Sequence, residues 1–269
     1  MIQTKSTGSQ QTKSKGNQLV QIITKTKPLP LWVDNLKYNS EGKSILNKFN
    51  KQFKGITNIE DTTKYEPNQP LAYSNVPRVL GYNHDLLKQS GGKVRVLSPY
   101  ETVWFMLNQP ELIPELKHTY ADTNSIAIYP NAGPNEELRK QVVEGIFGKK
   151  LGNLKIPYIA LNLKPIPADN EYGFTFTGTD FKKLEPAPYL TKDQKVICKN
   201  GTLVPSPDQT KGIRVWALTE QSGLRRFYQG GDDDPYAWDD DLLYSNGSGR
   251  VQLIRDPNGL AKNLELLLI

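Results

Sequence analysis

The residues best suited to chemistry lie in one stretch, residues 212–245, where two strand candidates rich in arginine and aromatic residues precede an acidic loop. Six aspartates fall within residues 232–241 of this loop. Flexible acidic loops bind Ca²⁺ through about six to eight oxygens, and paired carboxylates hold Mg²⁺ for phosphoryl transfer. One interpretation is therefore a site for Mg²⁺ or Ca²⁺ whose ligands are Asp232, Asp234 and Asp239. The other is a solvated loop that pairs with nearby arginines and binds no cofactor.

Gly230–Asp233 reads Gly-Gly-Asp-Asp and follows the strand candidate LRRFYQ. This motif is similar to the turn of palm-type nucleotide polymerases and cyclases, in which a hairpin tip presents carboxylates to divalent metal ions. The resemblance covers four residues and implies a nucleotidyl transferase, or a related metal-dependent nuclease, that uses the acidic loop Asp232–Asp241. A palm site also needs an aspartate from an earlier strand. The nearest options, Asp169 and Asp180, lie in no companion motif.

Three arginines in the strand candidates beside this loop, Arg214, Arg225 and Arg226, are interleaved with aromatic residues. Such a surface can stack bases or sugars and pair with phosphates, which predicts either nucleic-acid contacts or a carbohydrate-binding β module. In the alternative, residues 213, 215 and 217 face one side of the strand and residues 214, 216 and 218 the other, and the arginines neutralise the aspartates. The hairpin would then be a structural or partner-facing edge.

Several common catalytic and cofactor motifs are missing from the sequence. It has one cysteine, Cys198, and two histidines, fewer than the four ligands of a structural zinc site. It contains no GxxxxGK[ST] loop, no GxGxxG fingerprint and no GxSxG turn. The neighbours His84 and Asp85 are interpreted as part of a turn or cap. These observations favour a non-catalytic protein.

The positive charge is concentrated at the N-terminus. Residues 1–54 hold ten lysines, no arginine and two acidic residues, for a net charge of +8, whereas the other 24 basic and 26 acidic residues give −2. Residues 1–17 have almost no apolar side chain after Ile2, which predicts a disordered segment. We therefore expect residues 1–30 to form a flexible, lysine-rich arm. Its candidate contacts with nucleic acid or another polyanion are Lys5, Lys13, Lys15, Lys25 and Lys27.

The pattern of apolar residues predicts an α+β fold. Residues 31–150 mix helices and strands, and residues 151–269 are mostly antiparallel β-structure, either as a second portion or as one domain with the first. Ser98, Pro99 and Glu101 predict a capped helix from Pro99 to about Asn108. Further helices are predicted around 45–53 and 134–148, an extended loop with one short strand at 76–80 is predicted for 56–83, and a terminal strand is predicted at 264–269.

Together these patterns predict a non-catalytic binding or assembly protein, such as a subunit of a nucleoprotein complex or a viral or phage structural protein. The basic N-terminus would contact nucleic acid or an acidic partner, and protein partners are expected. The single cysteine favours the cytoplasm, or a virion assembled there. No apolar run reaches about 18 residues, so no membrane association is expected.

Overall fold

The computed structural model describes residues 17–23, 28–35, 48–49, 51–54, 75–110, 120–244 and 251–255. Within these residues the chain forms the α-helices α1 (Val76–Ser90), α2 (Pro99–Asn108) and α3 (Glu136–Lys140), besides a short helical stretch at residues 48, 49, 51 and 52. It also forms fourteen strands: β1 (Asn17–Ile23), β2 (Pro28–Asn35), β3 (Val94–Val96), β4 (Ala121–Ile128), β5 (Tyr158–Leu161), β6 (Lys164–Pro167), β7 (Phe174–Thr177), β8 (Lys183–Pro186), β9 (Gln194–Lys199), β10 (Thr202–Pro205), β11 (Ile213–Ala217), β12 (Leu224–Gln229), β13 (Pro235–Ala237) and β14 (Gln252–Arg255). The protein is α+β, and strands dominate its C-terminal half, as the sequence predicts.

Helix α1 corrects the prediction of a loop with a short strand at residues 76–80. Asn75 adopts an extended conformation and its side chain accepts a hydrogen bond from the Arg78 N–H at 2.9 Å, which caps the helix. The helix ends at Gly91, whose φ of 62° is the left-handed conformation common after a helix. His84 and Asp85 therefore lie within a helix rather than in a turn.

Helix α2 begins after the predicted cap residue Ser98 and ends at Asn108, near the predicted end. The Ser98 side chain accepts from the Glu101 N–H, and the Glu101 carboxylate accepts from the Ser98 N–H at 2.9 Å. This reciprocal pair satisfies two backbone donors that no carbonyl of the helix can reach. Glu101 also forms an ion pair with Arg95 of β3, which links the helix to the neighbouring strand.

The other predicted helices are also present. Helix α3 continues as a π-helical turn over Gln141–Ile146, so the helical segment covers most of residues 134–148. Residues 48, 49, 51 and 52 are helical, and the buried rings of Phe49 and Phe53 stack with centroids 4.5 Å apart.

The large sheet has eight strands in the order β10-β9-β11-β13-β12-β4-β5-β8. Its pairs are antiparallel except for β11 and β13, which are parallel because β13 inserts between β11 and β12. One face of the sheet packs a core that includes Val103 of α2, Phe227 and Val215. Part of the other face packs Ile126 and Leu224 against α1 and the π-helical turn. The uncovered part of that second face carries the candidate site.

A second sheet, in the order β1-β2-β14-β3, joins distant parts of the chain. Strand β1 spans Asn17–Ile23, inside the segment predicted as a flexible arm, so this part of the arm is paired antiparallel with β2. The five lysines predicted to contact a polyanion and the strand predicted at 264–269 lie outside the described residues.

Candidate functional site

Strands β11, β13 and β12 place aromatic side chains on one face of the large sheet. The register sets Trp216 of β11 beside Tyr236 of β13, and Tyr236 beside Tyr228 of β12. The Trp216 and Tyr236 rings lie at an angle of 8° with centroids 6.1 Å apart, and the Tyr236 and Tyr228 rings at 18° and 5.5 Å. Tyr120, next to β4, stacks on Tyr228 at 6.0 Å. We call these residues and Trp238 the aromatic face.

The ends of the aromatic face are open to solvent. The exposed Arg214 guanidinium lies over the Trp216 ring at 4.9 Å, a distance that allows cation–π attraction. Trp238 is 43% exposed, lies 5.0 Å from Tyr236, and donates from Nε1 to the Tyr228 hydroxyl at 3.3 Å. The face therefore offers a flat ring and a cation to a ligand.

Two aspartates of the acidic loop fix rings of the aromatic face. Trp216 donates from Nε1 to Oδ2 of Asp234 at 2.9 Å, and the Tyr236 hydroxyl donates to Asp232. Burial, together with the hydrogen bond to Asp232, raises the pKa of Tyr236 above its ordinary value, so the phenol stays protonated. These carboxylates orient the rings at the turn between β12 and β13.

Arg225 and Arg226 pair with carboxylates of neighbouring residues of the same chain. Arg226 is buried and donates to Asp122 of β4 from Nε at 3.1 Å and from Nη2 at 2.9 Å, and its Nη1 lies 3.4 Å from Asp239. Burial lowers the pKa of this guanidinium, but Asp122 and Asp239 raise it by more, so it stays charged. Arg225 lies 3.2 Å from Asp240. Of the three predicted arginine contacts, only Arg214 is exposed.

The predicted cation site is not assembled. Asp232, Asp234 and Asp239 direct their carboxylates to three different donors, on Tyr236, Trp216 and Arg226. Among the described residues, no group of three or more His, Cys, Asp or Glu side chains could hold a metal ion. The residues therefore do not fit the Mg²⁺ or Ca²⁺ predicted for this loop, because cation binding needs several oxygens directed at one point. Asp122 lies opposite Tyr228 on the neighbouring strand, where a palm site would need its second carboxylate, but it is paired with Arg226.

The sequence interpretation missed two members of this site, Tyr120 and Asp122. Both depend on the pairing of β4 with β12, which joins residues about a hundred positions apart, as in the Arg226–Asp122 pair. The sequence signal for the pair was Asp122 itself, an aspartate within the strand sequence ADTNSIAI. All eight residues of this strand are buried. A carboxylate in such a strand requires a charged or hydrogen-bonding partner.

Burial shifts the pKa values of the one cysteine and the one histidine among the described residues. Burial raises the pKa of the Cys198 thiol to about 12, so almost none of it is thiolate near neutral pH. Burial, aided by Lys164, lowers the pKa of His84, which lies on α1 beside Asp85. The salt-bridge partner of Asp85 is Lys48, at 2.7 Å.

No protein-family model, curated protein or solved structure matches this chain. In the part of the chain that the structure describes, no helix has the length and apolar character needed to cross a membrane. The interpretation of the site therefore depends on its own geometry and on the charge distribution of the sequence.

Proposed function

We propose that this chain is a non-catalytic binding or assembly protein that contacts nucleic acid or another polyanion through its lysine-rich N-terminal segment. The observation that carries the proposal is the charge distribution, a net +8 in residues 1–54 against −2 in the remainder. Lysine ammonium groups on a polyanion release counterions, which favours binding without any sequence preference. Such a protein fits a nucleoprotein complex or a viral or phage particle.

The body of the protein supports this division of roles. Its acidic loop pairs internally with Arg225 and Arg226, so those two guanidinium groups are not left for phosphates. The described acidic residues do not assemble a metal site, which leaves the nuclease interpretation without its reactive centre. The charged contacts to a polyanion are therefore assigned to the lysines before β2.

A salt titration tests the proposal. If Lys5, Lys13, Lys15, Lys25 and Lys27 each meet one phosphate, the logarithm of the binding constant falls against the logarithm of salt concentration with a slope of about −3.5 to −4.5. Replacing all five lysines with Gln removes this part of the slope. The matched control replaces five exposed lysines of the body with Gln, namely Lys88, Lys93, Lys140, Lys150 and Lys192.

Filter binding with single-stranded and duplex oligonucleotides of several sequences provides the measurement. We expect the N-terminal variant to lose affinity evenly across the oligonucleotides and the control to keep most of it. Equal losses for the two variants would show that only net charge matters and would refute a specific role of the N-terminal lysines.

A second candidate function, carbohydrate binding, is favoured by the exposed Trp238 beside an acidic loop. Six aspartates near three arginines give the aromatic face little attraction for phosphates, whereas sugar hydroxyls hydrogen-bond to carboxylates and sugar rings pack on aromatic rings. Titration with cellohexaose and chitohexaose, followed by tryptophan fluorescence, tests this candidate. It requires saturable binding that Trp238→Ala abolishes and Trp104→Phe leaves intact, and fluorescence unchanged by both sugars would exclude these ligands.

A further inference from the structure

Two large apolar side chains are exposed on and beside the aromatic face. Among the described residues, the exposed large hydrophobic side chains are Trp238 and Tyr244, at 43% and 45%. Trp238 donates to the hydroxyl of the buried Tyr228 at 3.3 Å, and Arg226 lies over the rings of Tyr228 and Tyr244 at 4.9 and 5.6 Å. The two exposed rings therefore flank the same tyrosine and belong to one surface. An exposed apolar surface with a polar rim is typical of a contact with another protein.

The rings lie among more negative than positive charges. Seven aspartates against three arginines give this part of the chain a net charge of −4. The aspartates are the six of the acidic loop and Asp122, and the arginines are Arg214, Arg225 and Arg226. The side chain of Asp240 is 54% exposed, and Asp241 is also exposed, so part of this negative charge is open to a partner.

A partner that fits this surface is cationic and carries apolar groups. Lysine has both properties, because its ammonium group pairs with carboxylates and its four-carbon stem packs along an apolar ring. An ammonium group is also attracted to the face of a tryptophan or tyrosine ring. Arg214, which lies over the Trp216 ring at 4.9 Å, already makes a contact of this kind at the opposite end of the aromatic face.

The chain itself contains a segment of this chemistry. Residues 1–16, which lie outside the described residues, hold three lysines and no acidic residue, so their charge complements that of the surface. They precede β1, which is at the opposite edge of the second sheet from β3. Leu97, next to β3, contacts the large sheet by accepting from the Asn124 N–H at 3.0 Å. Across three strand spacings, β1 lies about 14 Å from β3. The segment therefore begins at an edge remote from this contact, from which it can reach a second copy.

We propose that residues 1–16 of one copy dock on the aromatic face of a second copy. The lysine stems pack on the rings of Trp238 and Tyr244, and the ammonium groups pair with the exposed carboxylates of Asp240 and Asp241. The contact joins two different surfaces, so it is heterologous and links copies head to tail. It uses lysines that the proposed function assigns to a polyanion, and a lysine on a phosphate is not available to Asp241. A polyanion therefore competes with this self-contact, although the self-contact does not require a polyanion.

Sedimentation equilibrium of the full chain, freed of nucleic acid, tests the proposal at about 50 mM and about 500 mM salt. We expect the average mass to rise with protein concentration in low salt. In high salt we expect association to be at least about tenfold weaker, because salt screens exposed ion pairs. A chain that stays monomeric in low salt, either because the segment docks on its own chain or because it docks nowhere, refutes the proposal.

Two variants remove one side of the contact each. The lysine variant combines Lys5→Gln, Lys13→Gln and Lys15→Gln, and the face variant combines Trp238→Ala, Asp240→Asn and Asp241→Asn. We expect each variant alone to be monomeric in low salt, and their equimolar mixture to form a one-to-one dimer, because one keeps the face and the other keeps the lysines.

The control variant combines Asp169→Asn with Asp180→Asn, two exposed aspartates outside the aromatic face, and should associate like the wild type. A mixture that stays monomeric would overturn the proposal. A lysine variant that associates as tightly as the wild type would also overturn it, even if the face variant does not fold.

Hexathymidylate distinguishes this proposal from the polyanion contact. The face variant keeps every lysine, so it should bind the oligonucleotide as the wild type does. Self-association without oligonucleotide binding would support the self-contact and remove the polyanion function, whereas oligonucleotide binding by a monomeric wild type would do the reverse. If the wild type does both, bound oligonucleotide should dissociate the assemblies. Assemblies that persist while the oligonucleotide is bound would contradict a contact through the same lysines.

Discussion

Removal of Asp122 tests whether Arg226 depends on its ion pair. The side chains of Arg226 and Asp122 are 2% and 1% exposed, and three hydrogen bonds of 2.9 to 3.1 Å join them. In Asp122→Ala the guanidinium stays buried, with Asp239 at 3.4 Å as its remaining carboxylate. Removing one partner of a buried ion pair lowers the free energy of unfolding by about 3–5 kcal/mol. Because Asp239 remains beside Arg226, we expect a loss near the lower limit, about 3 kcal/mol. For a protein of this size, that loss lowers the melting temperature by about 6–12 °C.

Urea unfolding followed by circular dichroism measures this change, with two comparison proteins. Asp240→Ala removes the exposed partner of the neighbouring Arg225 and is expected to lose at most about 1 kcal/mol. Asp122→Leu combined with Arg226→Met removes both charges of the pair and is expected to be more stable than Asp122→Ala, because the carboxylate that it leaves without a partner, Asp239, is 27% exposed and in part solvated. An Asp122→Ala variant as stable as Asp240→Ala would refute the reasoning, as would a double variant no more stable than Asp122→Ala.

Three further predictions concern local features. Ser98→Ala removes the N-cap of α2 and should lower the free energy of unfolding, measured by urea unfolding, by about 1 kcal/mol. Ser98→Thr keeps a hydroxyl at the cap and should retain most of the stability that Ser98→Ala loses. Burial lowers the pKa of His84 below 6.5 in the folded state, so its contribution to stability is complete above pH 6.5 and is lost as the pH falls below that value. His84→Gln should flatten this pH dependence of the free energy of unfolding, measured from about pH 7.5 to 5. A Cβ atom added at Gly223 would lie 2.5 Å from the Pro134 carbonyl oxygen, and the φ of this residue is +81°. At Gly91 φ is +62°, but nothing lies within 4 Å of an added Cβ atom. Gly223→Ala should therefore lower the melting temperature by several degrees more than Gly91→Ala.

The sequence predicts elements whose signals are local. Helix α2 is predicted because Ser98, Pro99 and Glu101 specify its start within four residues. Helix α1 was missed because it is buried on most sides and its buried residues include Arg78, Asn83 and Asp85. A helix with polar residues on its buried surface lacks the apolar period that marks an exposed amphipathic helix.

The candidate site was predictable only in part. The alternation in β11, with Val215 and Ala217 buried and Arg214 exposed, follows from the period of a strand. Pairing of the arginines with aspartates was one of the two interpretations of the stretch. The partner Asp122 was not found, because it reaches Arg226 through the pairing of β4 with β12, and no local pattern indicates which strands will be neighbours.

The position of β14 has a consequence for how the chain folds during synthesis. This strand, Gln252–Arg255, pairs on one side with β2 and on the other with β3, so it joins segments made early in translation. Until β14 has left the ribosome, the edges of β2 and β3 that this strand covers have no partner strand. At about 5–20 residues per second, the interval between the synthesis of β2 and that of β14 is on the order of ten seconds or more. During that interval the nascent chain presents unpaired strand edges, which are templates for aggregation, and we expect chaperones to increase its soluble yield.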